Sequence, residues 1–135
     1  MSLSTHLVFS GQCEAAFRFY ADALGGKLGP MMTYGATPAG GDVPPEWRDK
    51  IVHATMTIGG QAIAGADVLP EQYEKPRGFY VLLDVEPDDA ERVFRALSEG
   101  GVVHLALEKT FWSPAFGVLV DRFGTPWEIN ASLGS

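Results

Sequence analysis

The chain lacks the residues that would announce several common functions. Its single cysteine, Cys13, allows no disulfide within the chain. Lysine and arginine number 10 against 17 acidic residues, which leaves a net charge of −7 and no basic run. Phosphate backbones are held by clustered cations, so nucleic acid is excluded as a partner. No apolar stretch approaches the ~20 residues that cross a bilayer, so no membrane span is expected. Residues 1–11 lack the basic start and long apolar middle of a secretory signal. Together these absences point to the cytoplasm. Glycine-rich phosphate loops, serine-nucleophile motifs and CxxC pairs are also missing.

What is present suits one globular domain: 135 residues, 46% of them hydrophobic. Residues 3–9 suit a strand, and Ser10-Gly11 breaks it and can cap a helix. Over 12–24, Ala16, Phe17, Phe19, Tyr20, Ala23 and Leu24 recur at helical steps, and Gly25-Gly26 stops the helix. A strand is expected over 27–34. Residues 35–49 hold three prolines and three glycines, and so form a loop. That loop exceeds the usual connection length and is expected to be a mobile flap over a cavity mouth, pinned by Trp47. Strands at 51–58 and 61–66 meet at Gly59-Gly60, a hairpin signal.

After a polar linker the same order returns. A strand over 79–85 precedes a helix opened by Pro87-Asp88-Asp89 and closed by Gly100-Gly101. A strand over 102–107 and a closing hairpin follow. Glu14-Ala15 falls on Asp89-Ala90, Phe19 on Phe94, and Gly25-Gly26 on Gly100-Gly101, each 75 residues later. The chain is therefore expected to be α+β, built from two βαβββ modules at 1–67 and 79–135 joined by a linker at 68–78. One amphipathic helix can cover only one face of its sheet. The other faces would form a curved mixed sheet around a concave cavity, a natural small-molecule site.

The closing hairpin carries the oddest residue. Along 127–130, Trp127 and Ile129 take one face and Glu128 and Asn130 the other. A carboxylate in mid-strand needs a partner of some kind, because lone charges avoid interiors. Trp112, Phe116, Trp127 and Tyr80 can line a pocket for a flat or apolar ligand, or simply pack the core. A cavity lined by His53, Trp112 and Trp127, with Glu128 as its charged contact, is expected. His53 can equally be a hydrogen-bonded strand side chain, and His104 reads as a surface or edge residue. Cys13 lies in the first helical turn with no catalytic partner nearby in sequence, and reads as packing.

Four short motifs, in order, carry a resemblance. They are His6-Leu-Val-Phe-Ser-Gly-Gln-Cys-Glu-Ala-Ala-Phe-Arg-Phe-Tyr20, Lys50-Ile-Val-His53, Thr110-Phe-Trp112 and Asp121-Arg-Phe-Gly-Thr-Pro-Trp127. With the doubled element order, they resemble the vicinal oxygen chelate superfamily of glyoxalase I, bleomycin-resistance proteins and extradiol dioxygenases, and within it the PhnB-like subgroup. The resemblance implies the glyoxalase/bleomycin-resistance/dioxygenase fold. It also implies that enzymes of the kind hold a divalent metal through His and Glu on strands, two from each module. Carried over, those positions fall on Glu128, on His6 with Thr5 as its rival, on Tyr80 or Phe79, and near Ala64-Gly65, which offers no ligand. Two protein donors hold a catalytic metal poorly, three being the usual minimum.

The resemblance thus implies a small-molecule-binding protein without catalytic metal or other cofactor. Its ligand-binding candidates are His6, His53, Tyr80, Trp112, Phe116, Trp127 and Glu128. The alternative is a metal-dependent lyase, isomerase or dioxygenase that holds a divalent ion through His6, Glu128 and one more ligand, for which His53 is a candidate. Some PhnB-like members are described as ubiquinone-pathway methyltransferases, but no nucleotide loop supports that here. Exposed sheet edges tend to be paired, and two-fold pairs are the commonest oligomer, so a homodimer is expected, with the strand around His6 as the candidate for crossing over.

Overall fold

The computed structural model describes residues 1–131, so the last four positions of the second expected module, 132–135, lie outside the described residues. The chain divides into two compact units, Met1–Glu74 and Lys75–Ser135. Each is a sheet with one α-helix.

The first unit runs β1 (His6–Phe9), α1 (Cys13–Leu24), β2 (Lys27–Leu28), β3 (Met32–Thr33), β4 (Ile51–Ile58) and β5 (Gln61–Asp67). Its sheet has the order β1-β5-β4-β2, with β3 also paired to β4. β1 lies parallel to β5, and the other pairs are antiparallel. The second unit runs β6 (Val81–Asp84), α2 (Pro87–Ser98), β7 (Val102–Glu108), β8 (Phe116–Val120) and β9 (Pro126–Asn130). Its sheet order, β6-β9-β8-β7, again sets the first strand parallel to the last. The doubled βαβββ order expected from the sequence is therefore the architecture of the chain.

The phase of the repeat differs from a simple overlay. Cys13, Ala16, Phe17 and Tyr20 are buried on α1, and Ala90, Val93, Phe94 and Leu97 on α2, a constant offset of 77 positions. Phe17, not Phe19, is thus the counterpart of Phe94. The glycine stops lie 75 apart because α2 spends its first turn on Pro-Asp-Asp, none of them buried, whereas the apolar stripe of α1 begins at its first residue. In each unit the helix phenylalanine presses on a strand glycine. A Cβ at Gly65 would lie 2.5 Å from the Phe17 ring, and one at Gly117 would lie 2.4 Å from the Phe94 ring. Neither position tolerates a side chain unless the buried phenylalanine ring against it is displaced.

Two expected elements differ in detail. The strand over 27–34 is two short pieces, because Pro30 has no N–H for the ladder to β4. The strand expected from 79 begins at Val81, leaving Phe79 and Tyr80 ahead of it. The loop expected over 35–49 is a loop, and it carries local order in 3-10 turns at Tyr34–Ala36, Pro38–Asp42 and Pro45–Trp47. Their stem is anchored, with Tyr34 N–H donating to Lys50 O at 2.9 Å and Gly35 N–H to Arg48 O at 2.8 Å.

The cap of α1 also comes from an unexpected place. Gln12 makes no side-chain cap. Asp67, at the end of β5 and 1% exposed, does so instead. Its Oδ1 accepts from Gly11 N–H at 2.8 Å and Cys13 N–H at 3.0 Å, and its Oδ2 accepts from Ile51 N–H at 3.0 Å. The Tyr34 hydroxyl donates to the Asp67 carbonyl. One carboxylate thus joins the β1–α1 turn, β4 and β5, and its charge suits a helix N-terminus. Removing it would orphan three N–H groups. Asp67→Ala is expected to lower the unfolding free energy by about 3–5 kcal/mol, measured by urea titration. A loss within about 0.5 kcal/mol, the range of ordinary surface substitutions, would refute this role.

Candidate functional site

Strand register decides which side chains share a surface. In the second unit Gly117 meets Phe94 of α2, so Gly117 and its partner Ile129 face the helix, as do Leu119 and its partner Trp127. The alternate positions, Phe116, Val118, Glu128 and Asn130, face away from it. Leu82 pairs with Glu128 and Asp84 with Asn130, which puts both on the same helix-free face. Leu105 joins them through Val118. One row across the sheet therefore reads Leu82, Glu128, Val118, Leu105.

Glu128 is half-buried in this row. Among the described residues no hydrogen bond or ion pair engages its carboxylate. Asn130 is anchored, its Nδ2 donating to Asp84 Oδ1 at 2.8 Å. At the Phe116 end stands a chain of aromatic rings. Trp112 meets Phe116 edge to face at 5.4 Å, and Phe111 meets Trp112 at 4.6 Å. The turn that presents them is fixed locally. Thr110 N–H donates to Ser113 O at 2.9 Å, and the Ser113 hydroxyl donates to Ala115 O at 2.8 Å. Trp112 is 53% exposed, so its ring is available to a ligand.

The structure thus gathers three sequence-derived candidates, Trp112, Phe116 and Glu128, on one face. Trp127 is not among them. It neighbours Glu128 on β9 and so points to the opposite face, 1% exposed, with Nε1 donating to Asp121 Oδ2 at 2.9 Å. It belongs to the core of its unit, as strand alternation requires. Asp121 Oδ1 also accepts from Phe123 N–H at 2.8 Å and Thr125 N–H at 3.1 Å, fixing the β8–β9 turn. Tyr80 is exposed and precedes β6. Leu82, not Tyr80 or Phe79, lies across from Glu128. Strand pairing shows this, and no feature of the sequence did.

His6 and His53 belong to the first unit. His6 pairs with Ala64, and Ala64 with Thr55, whereas Leu7 pairs with Gly65 beneath Phe17. His6, Thr55 and, two residues along, His53 therefore share the helix-free face of that sheet. His6 is exposed and His53 half-buried.

A divalent metal does not fit the donors. Across from His6 stands Ala64, and across from Glu128 stands Leu82, neither with an atom that can bind metal. Among the described residues no three His, Cys, Asp or Glu side chains gather closely enough to hold an ion. No chemical step is therefore derived through one.

A two-module chain of this topology, with a helix-free face on each sheet, is the architecture of the glyoxalases and their relatives. The model of the Glyoxalase/Bleomycin resistance protein/Dioxygenase superfamily matches residues 3–129, and the chain belongs to that superfamily. It is 32% identical over 139 residues to Protein YjdN of Escherichia coli, covering 96% of this chain and 95% of that one. The crystal structure of protein PA1353 from Pseudomonas aeruginosa superposes with a TM-score of 0.87 at 39% identity, covering 96% of each chain. A PhnB protein from Bacillus cereus superposes with a TM-score of 0.80 at 22% identity, covering 96% of this chain and 98% of that one, a likeness of fold alone.

Cys13 is not part of a reactive centre. Burial first, then the charges of Asp67 and Glu14, push its thiol up from 9.0 to about 12. At pH 8 about one thiol in ten thousand would be thiolate, so native Cys13 is expected to resist Ellman's reagent and to react fully only in denaturant. The same shift sets a pH dependence. The unfolded thiol ionises first, so this contribution to stability holds below pH 9 and is lost as the pH rises towards 12. Rapid labelling of the native protein at pH 8 would contradict both expectations.

Proposed function

We propose that this protein binds a small organic molecule on the helix-free face of the β6–β9 sheet, without a catalytic metal. The observation that supports this most is Glu128. It is a half-buried carboxylate with no hydrogen-bonding or ionic partner among the described residues, set between Leu82 and Val118. Solvent still reaches this row, since Leu82 is 55% exposed, and among the described residues no neighbouring group occupies the carboxylate, so it is free to meet a ligand laid on the face. Trp112 and Phe116 supply a rigid aromatic end to the same face, which favours a flat or apolar ligand body. His6, His53 and Tyr80 are weaker candidates, since none shares that row.

Among the described residues no helix is long and apolar enough to cross a membrane. A cytoplasmic location is part of this proposal, as is a homodimer. Phe79, Val102, Val103 and Phe111 are large apolar side chains left exposed in the second unit, and self-association would cover such groups. Light scattering at micromolar concentration is expected to give twice the 14.5 kDa chain mass. A particle of one chain would remove the dimer from the proposal.

Binding is tested by screening a fragment library against the amide spectrum of the labelled protein. Hits are expected to shift Phe116, Val118 and Glu128. Glu128→Gln and Trp112→Ala should each weaken them about tenfold, or roughly 1.4 kcal/mol. Elemental analysis after purification without chelator decides against the metal-dependent lyase, isomerase or dioxygenase alternative. Well under one metal ion per chain is expected, and near-stoichiometric metal lost in His6→Ala or Glu128→Ala would reverse the assignment.

A further inference from the structure

The charge distribution around Glu128 allows its ligand class to be narrowed. The ionisable residues on the four strands of the second sheet are Asp84, His104, Glu108 and Glu128. Asp84 and Glu108 pair with Asn130 and Phe116, so the register puts both on the face that carries Glu128. His104 falls where the β7 register shifts. No lysine or arginine lies on any of these strands. On α2, Arg92 and Arg95 are paired with Asp89 and Glu91. Arg122 contacts the Glu99 carbonyl at 3.1 Å. The strands of this face are thus apolar, aromatic at one end and acidic, and the cation nearest to them along the chain is Lys109, just past the end of β7.

We infer that this face selects an organic cation, a flat and largely apolar molecule bearing one positive charge, which rests on the binding function proposed above. Glu128 would supply the counter-charge in an apolar row, and a ligand lying over Leu82 and Leu105 would exclude water from the ion pair and so strengthen it. Trp112 and Phe116 would receive the ring system, and their negative π faces also favour a cation. An anion of the same shape would meet three carboxylates and no strand-borne cation. Phosphonates and dicarboxylates are therefore poor ligands for this face.

The test uses two probes of matched three-ring shape, 9-aminoacridine, a cation at neutral pH, and anthracene-9-carboxylate, an anion. Each is titrated into the full chain with amide shifts as readout. The cation is expected to bind at least ~10-fold tighter, with shifts at Phe116, Val118 and Glu128. Glu128→Gln should bring the two affinities within about threefold. Leu82→Lys, at a position 55% exposed and directly across from Glu128, should do the same without removing the carboxylate. Equal binding of both probes on this face by the unaltered protein would overturn the charge selection and leave the binding function standing. Shifts elsewhere, or none with either probe, would overturn both.

Discussion

Each sheet has two faces and each unit supplies one α-helix. Almost everything else about the molecule follows from that inequality. The helix-covered face must be apolar and close-packed, and the side chains there are nearly inaccessible: Phe17 against Gly65, Phe94 against Gly117, Leu119 and Trp127 together. The other face is released from packing. Because strand side chains alternate, adjacent residues such as Trp127 and Glu128 receive opposite assignments, one to the core and one to the helix-free face. A one-residue slip of β9 would bury Glu128 beneath α2 and expose Trp127, which is why the register is so heavily fixed.

Two buried aspartates do much of that fixing. Asp67 ends β5 and reaches back to the N–H groups of the β1–α1 turn and of Ile51. Asp121 follows the last residue of β8 and holds the turn into β9, and the Trp127 indole also donates to it. Each carboxylate can be buried because backbone or indole N–H groups surround it. Both lie at the junction of strands, where an error of register would be made. They are counterparts in purpose and not in position, since β5 is the last strand of its unit and β8 the third.

Much of the fold was legible in the sequence because its signals are local. Helical periodicity, Gly25-Gly26 and Gly100-Gly101, the Gly59-Gly60 hairpin and the proline at the start of α2 each act within a few residues. The doubled element order then implied the topology and the uncovered faces. What could not be read depends on long-range pairing. The partner of Glu128 is Leu82, 46 positions away, and only the parallel β6–β9 ladder brings them together. Asp67 caps a helix that begins 54 residues earlier. The break at Pro30 could have been anticipated, since proline cannot donate to a ladder. The face of Trp127 could have been anticipated too, because alternation along β9 already separates it from Glu128. An aromatic side chain near an unusual acid is a tempting ligand contact, but its parity on the strand outranks its proximity in sequence.

The two units keep one scaffold and spend their free faces differently. In the first, the row from His6 passes through Ala64 to Thr55, with His53 and Ala66 nearby, a small-residue and imidazole surface. In the second, the corresponding surface is bulky, aromatic and acidic. Divergence of this kind is cheap on the helix-free side. A substitution there disturbs no close-packed helix neighbour, whereas one at Gly65 or Gly117 must displace a buried phenylalanine ring. The same asymmetry lets residues on the helix-free side change character without cost to the fold. Ala64 and Leu82 occupy strand positions across from His6 and Glu128, and the ladders through them remain intact. The scaffold therefore constrains where a ligand can be met and leaves open what meets it. On the reading proposed above, the side chains of β6 to β9 suit an apolar partner that carries a positive charge.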